Sequence, residues 1–407
     1  MSDPKPRIVL GVGGGIAAYK VCEVLRGLTE SGHQVRVVPT DAALNFVGAA
    51  TWEALSGQPV HTGVFSNVPS VEHVRIGQQA DLVLVAPATA DLLARAATGL
   101  ADDLLTSTLL TARCPVAFFP AMHTEMWEHP ATKANVATLR ERGVVLPDPD
   151  AGRLTGVDTG KGRLADPAEI VDLARLLLAN PSALPRDLVG LHIAVSAGGT
   201  REPLDPVRYL GNRSSGKQGY SLARVAAARG ARVTLVAGHT VTLPTPAGVE
   251  LVTVSTARQL REAMVEAAKL ADVVVMAAAV ADFRPAEFAE HKIKKSGGDP
   301  DPLVLESNPD VLAELVANRR PEQIIVGFAA ETGDQSGDVL HHARAKLRRK
   351  GSDLLVVNAV GDGQAFEVEH NAGWLLAANG DETPIPFGSK LQLAAAVWDA
   401  VAGLTSA

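Results

Sequence analysis

The chain has 407 residues, 46% of them hydrophobic, and a formal net charge of -7. That length can bury two sizeable cores and suggests two or three domains, and the acidic balance argues against a general nucleic-acid binder. Two cysteines, Cys22 and Cys114, make no disulfide framework, and with no signal peptide or long apolar span the expected setting is a reducing cytoplasm.

From Arg7 the sequence goes straight into an apolar run, "RIVLGVGG", followed by the helical "IAAYKVCEVLRGLTESG". "QVRVVPT", "DLVLVAP" and "CPVAFFP" continue as strands, with helical stretches between them. This alternation predicts a parallel α/β sheet. After "ADPAEIVDLARLLLAN", two prolines in "PSALPRDLVG" mark a linker over 181–190, and the pattern restarts with "LHIAVSAGG", "ARVTLVAG", "VELVTVS", "ADVVVMAAA", "QIIVGFAAE" and "DLLVVNAV". The expected fold is two Rossmann-like α/β domains with mainly parallel sheets, 1–180 and 191–407. No close internal repeat relates them.

Open parallel sheets bind ligands beyond the carboxyl ends of their strands. In the first domain those ends carry Gly11 to Gly15, Thr40, Thr89 and "PAMHTEMW". Each has a plainer reading too: a Gly-rich turn serves tight packing, and a threonine after a strand serves as an N-cap. Pro39-Thr40 stands where a dinucleotide site has an acidic residue to hold ribose, so a mononucleotide such as FMN fits better than NAD. In the second domain, "GNRSSGKQ" fits G-x-x-x-x-G-K, but Gln218 replaces the Ser or Thr that would hold a metal, and "TREPLDPVRYL" separates it from the preceding strand. It is therefore not a P-loop, which leaves a phosphate or nucleotide loop of another design, or an ordinary loop. The basic run His341 to Lys350 reads as a solvated helix face.

"GVGGGIAAYK", "APATADLLA" with "ATGLADDLL", and "PAMHTEMW" resemble the flavin-dependent cysteine decarboxylase family. "AGGTREPLDPVRYLGNRSSGKQG", "AAAVADFRP", "KIKK" and "GFAAET" resemble the phosphopantothenate-cysteine ligase family. Together they span nearly the whole chain, in the order of the bifunctional decarboxylase and ligase family of coenzyme A synthesis. For the first domain the resemblance implies a flavodoxin-like flavoprotein, with FMN held by Gly14, Gly15, Ile16, Thr40, Ala88, Thr89 and Ala90. It implies His73 as the catalytic histidine for oxidising 4'-phosphopantothenoylcysteine to a thioaldehyde, which loses carbon dioxide before the enethiol is reduced to 4'-phosphopantetheine. His123 stands where the family has a carboxylate-binding Asn; a histidine donates the same hydrogen bond. Gly156 aligns with the family's proton-donating cysteine and donates nothing. Cys22 and Cys114 read as packing residues, which leaves water, Asp158 or another group on "DAGRLTGVDTGKG" as the acid.

For the second domain the resemblance implies CTP-dependent condensation of 4'-phosphopantothenate with cysteine through an acyl-cytidylate. Asn212 matches the residue that contacts the activated intermediate, and Lys292 the one that stabilises developing charge. Met276, Ala277, Ala278, Asp282 and Phe328 are expected around the nucleotide, as are Pro309, Asp310, Val311 and Leu312 of "SNPDVL". Lys346 and Lys350, four apart on a helix, are expected on the triphosphate. Mg2+ is expected with CTP, and the assembly implied is a closed homo-oligomer, a dodecamer built from trimers and dimers. The expected partners are small-molecule substrates, with no nucleic acid and no membrane. Two readings stand beside this one: a ligase-active chain whose flavin-binding domain only binds a partner, and an NAD-dependent oxidoreductase with tandem nucleotide domains.

Overall fold

The computed structural model describes residues 5–63, 71–154, 158–294, 302–331, 338–359 and 370–405. The chain divides into two compact units: Met1–Arg186 with Ala227–Arg229 and Pro246–Gly248, and the remainder from Asp187. No helix among the described residues is long and apolar enough to cross a membrane.

The first unit runs β1 (Arg7–Val12), α1 (Ala18–Glu30), β2 (Gln34–Pro39), a 3-10 turn (Asp41–Asn45), α2 (Ala49–Ser56), α3 (Glu72–Gln79), β3 (Leu82–Ala88), α4 (Ala90–Thr98), α5 (Leu104–Thr111) and β4 (Val116–Pro120). Then follow α6 (Thr124–Glu128), α7 (Pro130–Glu141), a hairpin of β5 (Asp150–Arg153) and β6 (Thr159–Arg163), and α8 (Pro167–Ala179). The parallel sheet has the order β2-β1-β3-β4, and Ala117 bridges in parallel to Val145 at its far edge. This is the flavodoxin-like order, whose switch point lies between β1 and β3. β3 is buried along its whole length, as expected of a strand with helices on both faces. α1 buries Ala18, Val21, Val24, Leu25 and Leu28, a spacing that lays one apolar stripe on the sheet. Cys22 and Cys114 are both free and half-buried, and burial is the main cause holding each thiol above its ordinary pKa. That environment suits packing rather than reactivity.

The second unit begins with β7 (His192–Ala197), the short pair β8 (Arg201–Pro203) and β9 (Tyr209–Gly211), α9 (Lys217–Ala228), β10 (Arg232–Ala237), β11 (Val249–Thr253), α10 (Ala257–Ala268) and β12 (Val273–Met276). It continues through the pair β13 (Phe283–Pro285) and β14 (Leu305–Ser307), α11 (Val311–Ala317), β15 (Ile324–Glu331), α12 (Val339–Lys350), β16 (Leu354–Ala359), β17 (His370–Ala377), β18 (Glu382–Ser389) and α13 (Lys390–Thr405). The eight-stranded sheet has the order β11-β10-β7-β12-β15-β16-β17-β18. Its first six strands are parallel and its last two antiparallel. The six follow the dinucleotide-fold order, with the switch point between β7 and β12. The closing hairpin carries Pro384 and Pro386 on β18, residues that suit an edge strand.

Candidate functional sites

In the first unit the strand ends open on a cavity of about 820 Å³. The loop after β1 supplies Gly14, Gly15 and Ile16; Thr40 follows β2, and Thr89 and Ala90 follow β3. Ala88, the last residue of β3, is fully buried and accepts the Ala121 amide through its carbonyl (3.1 Å) rather than lining the cavity. The glycines are needed because the loop is squeezed between neighbouring strand ends: a Cβ at Gly13 would lie 2.4 Å from the Pro87 carbonyl oxygen, and one at Gly14 2.4 Å from Ala42 Cβ. Thr40 and Thr89 line the cavity and also cap the elements that follow them. Their hydroxyl oxygens accept the Ala43 amide (3.2 Å) and the Leu92 amide (3.3 Å) as N-caps, which leaves each hydroxyl proton to donate into the cavity.

Sequence reading missed several other lining groups. Asp41 opens the 3-10 turn one residue beyond Thr40, and Tyr19 and Lys20 stand on the first turn of α1. Arg95 of α4 pairs with Asp102 and lies 2.9 Å from Asp103. Asp103 in turn caps α5 by accepting the Thr106 amide (2.8 Å). The signal was present in "ATGLADDLL", since an Asp just before an apolar run marks a helix start. Ile16 is 64% exposed and Met126 47%, so the cavity offers apolar wall beside Lys20, Arg95, Arg153 and Arg163.

His123 lines this cavity at the N-cap position of α6, and its side chain makes no capping bond. The amides of Met126 and Trp127 bond instead to its carbonyl, both at 3.0 Å. The β5–β6 hairpin lies across the same segment, its anchor being Asp148, which accepts from Arg140 (2.7 Å) and Lys161 (2.6 Å). Gly156 lies outside the described residues, and Asp158 is exposed and absent from the lining.

His73 is also absent from the lining. It sits in the first turn of α3, where its carbonyl accepts the Thr111 hydroxyl (2.9 Å) and its Nδ1 is buried without a partner among the described residues. The preceding Glu72 is buried and pairs with Arg36 of β2. α3 lies close against α5, since a Cβ at Gly77 would reach 2.2 Å from the Thr111 hydroxyl.

In the second unit a cavity of about 520 Å³ opens at the carboxyl ends of the parallel strands. It brings together Asn212, Ala277, Ala278, Asp282, Phe328 and Lys346. Asn212 is fixed by donating to the Val280 carbonyl (2.9 Å). The absence of a P-loop holds: β7 ends at Ala197, the β8–β9 pair intervenes, and α9 starts at Lys217. The loop reaches the cavity by another route. Gly198 (φ +77°) and Gly216 (φ +78°) adopt left-handed backbone where a Cβ would meet the His239 carbonyl at 2.6 Å and Thr240 at 2.3 Å.

Other predicted residues lie off this cavity. Met276 is buried beneath it, 6% exposed. Pro309, Asp310, Val311 and Leu312 form the start of α11, where Asp310 accepts the Ala313 amide (3.1 Å) and pairs with Lys350. Burial opposes ionisation of Asp310, but Lys350 and that amide outweigh it and hold the carboxyl below its ordinary range. Lys292 is exposed and outside the lining, and its neighbour Ile293 is tied to Asp205 (3.2 Å) and Arg208 (3.1 Å). Arg213, Ser214, Ser215 and Gln218 of "GNRSSGKQ" join the lining with Asn212, and the residues that sequence reading missed include Asn358, Asn371 and Lys390. No motif spacing joins these three to that string, because the fold alone makes them neighbours.

A flavodoxin-like unit with a cavity at its switch point, followed by a unit of dinucleotide-fold order with a second cavity, defines a two-domain flavoprotein enzyme with two separate sites. Family models agree: residues 1–178 match "Flavoprotein", and 188–404 match "DNA/pantothenate metabolism flavoprotein C-terminal domain". The chain is 64% identical over 98% of its length to the coenzyme A biosynthesis bifunctional protein CoaBC of Mycolicibacterium smegmatis, covering 97% of that protein. It is 40% identical to the Bacillus subtilis protein of the same name, over 98% of this chain and 97% of that one. A crystal structure of the C-terminal domain of a protein of that name matches 54% of this chain and 98% of its own, at 33% identity and a TM-score of 0.46. The chain belongs to the family of bifunctional enzymes of coenzyme A biosynthesis.

Proposed function

We propose that the second unit condenses 4'-phosphopantothenate with cysteine at the expense of CTP, and that the first unit decarboxylates the product to 4'-phosphopantetheine. The observation that carries this reading is the pair of cavities, each at the switch point of its own sheet and each lined by residues of the corresponding family strings. In the ligase cavity, Asp282 and Phe328 take the base or ribose, and Lys346 faces the phosphates, which arrive as a Mg2+ complex. The carboxylate attacks the α-phosphorus and releases pyrophosphate. The cysteine amine then attacks the acyl carbon, and CMP leaves.

The first cavity fits FMN on its own features: glycines that admit backbone close to a phosphate, threonine hydroxyls with a proton to donate, apolar wall for a flat ring, and cationic groups beside it. FMN bound there supplies a reversible hydride acceptor, without which loss of carbon dioxide would leave an unstabilised carbanion. His123 orients the substrate carboxylate from the cavity wall. His73, which is outside this cavity, acts as base on substrate held by a neighbouring copy, and this requires the decarboxylase units to associate as the implied trimer. Pairing of the ligase units as dimers would then give a closed dodecamer.

Mass-resolved product analysis with 4'-phosphopantothenate, cysteine, CTP and Mg2+ tests the whole reading. Phosphopantothenoylcysteine, CMP and pyrophosphate are expected first, then carbon dioxide and 4'-phosphopantetheine. Formation of CDP and phosphate would overturn the acyl-cytidylate route. Release of carbon dioxide with a stall at the enethiol would show that nothing replaces the cysteine absent at Gly156.

A further inference from the structure

His73 lies outside the cavity of its own unit, so its approach to a substrate depends on how α3 is held. Its Nδ1 is buried, and contact with a substrate falls to Nε2. A ring presented through one nitrogen from the first turn of an eight-residue helix moves with that turn. Two other elements hold it. Glu72, 3% exposed, accepts from the Arg36 guanidinium of β2, with Arg75 of α3 itself 3.8 Å away. From α5, the Thr111 hydroxyl donates to the His73 carbonyl (2.9 Å).

The first of these anchors is a poor device for stability alone. A carboxylate in a first helical turn ordinarily faces water, where it complements the helix dipole. Glu72 is instead buried, and its Oε2 has no partner among the described residues. Apolar side chains of similar volume would join β2 to α3 at least as well as a buried ion pair. Val71, the residue before, adopts left-handed backbone (φ 42°, ψ 59°), a strained conformation for a β-branched side chain. Residues 71, 72 and 73 thus each carry a local cost, which favours fixed geometry over stability, and such costs gather at functional sites. None of Arg36, Glu72 and Thr111 lines the cavity, so an effect of theirs on the chemistry passes through His73.

We propose that the Arg36–Glu72 pair and Thr111 are positioning residues of the decarboxylase, clamping the first turn of α3 from β2 and from α5 so that His73 Nε2 is held at a fixed place for the substrate. The pair fixes the side-chain end of the turn and the Thr111 hydroxyl fixes its backbone at His73 itself. Neither group touches substrate or takes part in proton transfer. This inference rests on the reading of His73 as the base. Misplacing a base by a fraction of its reach slows the chemical step without weakening substrate binding, because the binding groups lie in the cavity.

The test uses the full chain with Arg36→Met, Arg36→Lys, Thr111→Ala and Thr111→Ser, and 4'-phosphopantothenoylcysteine as substrate. Carbon dioxide release is measured per bound flavin, well below each variant's melting temperature. Arg36→Met and Thr111→Ala are each expected to lower kcat by about tenfold to a hundredfold, with KM and flavin content within about twofold of the unmodified chain. Arg36→Lys and Thr111→Ser keep a donor at each position and should recover most of the lost kcat. A lower melting temperature with kcat per bound flavin unchanged would show that the contacts serve stability alone and overturn the proposal. A rise in KM without a fall in kcat, or a loss that Arg36→Lys and Thr111→Ser do not recover, overturns it as well. If Arg36→Met fails to fold, the comparison of Thr111→Ala with Thr111→Ser decides the matter. Carbon dioxide release that survives His73→Asn would instead overturn the reading of His73 as the base.

Discussion

The Met122 amide donates to the Gly162 carbonyl (2.9 Å), and a Cβ on Gly162 would lie 2.1 Å from the Met122 carbonyl oxygen. Through this contact the β5–β6 hairpin rests on the segment that presents His123 to the cavity, and Gly162, at φ +149°, has a backbone that L side chains rarely adopt.

Gly162→Ala should therefore lift the hairpin from the cavity. The expected cost is about 1–3 kcal/mol, in the range of overpacking and backbone strain. Flavin retained through gel filtration should fall with it. Retention of flavin and an unchanged melting temperature would show that the hairpin does not depend on this approach.

The hairpin anchor has a pH signature. Burial pushes the Asp148 carboxyl up, but its bonds to Lys161 and Arg140 and their charges outweigh this and leave it below the ordinary carboxylate range. A group whose folded-state pKa is depressed stabilises the fold above its unfolded value of about 3.9, and that contribution is lost as the pH falls through the folded value. Asp148→Asn should thus lower the melting temperature at neutral pH, with the gap to the unmodified chain closing below roughly pH 4. A gap independent of pH would remove the ion pairs as its cause.

His73→Asn and Gly14→Asp should each abolish carbon dioxide release. Gly14→Asp should lose flavin, because the loop has no room for a side chain, while His73→Asn should keep it. Co-expression of the two should restore activity if His73 of one copy serves the cavity of another. Mixed oligomers that remain inactive would place both groups in the service of the same copy.

The lysines of the ligase half should separate by position. Lys346 lines the cavity, whereas Lys350 is committed to Asp310. Lys346→Gln is expected to raise the KM for CTP about tenfold, and Lys350→Gln less. Lys292→Gln should mainly lower kcat, by an amount on the order of 3 kcal/mol if it stabilises developing charge. Equal effects of Lys346→Gln and Lys350→Gln on KM would mean that the Asp310 pair opens when nucleotide binds.

By itself the sequence determined the parts that depend on neighbours along the chain. Apolar runs such as Leu82 to Val85 announced buried strands, the spacing of Val21, Leu25 and Leu28 announced a helix face, and Gly14, Thr40 and Thr89 lay at strand ends because each follows its strand directly. The interruption between β7 and Gly211 was enough to reject a P-loop. Only the tertiary structure decided what the sheet order brings together. Gln218 and Lys390 are 172 residues apart, and they became partners because α9 and α13 meet at one end of the second sheet. His73 was legible as a candidate but not as a residue outside its own cavity, because the packing of α3 on α5 depends on Gly77 fitting against Thr111. Asp310 and Lys350 were each readable as a nucleotide contact, yet they neutralise one another because α11 and α12 bring opposite charges together. Spacing along a chain reports periodicity, whereas contact between distant segments depends on strand order and on close packing of side chains, which no local pattern encodes.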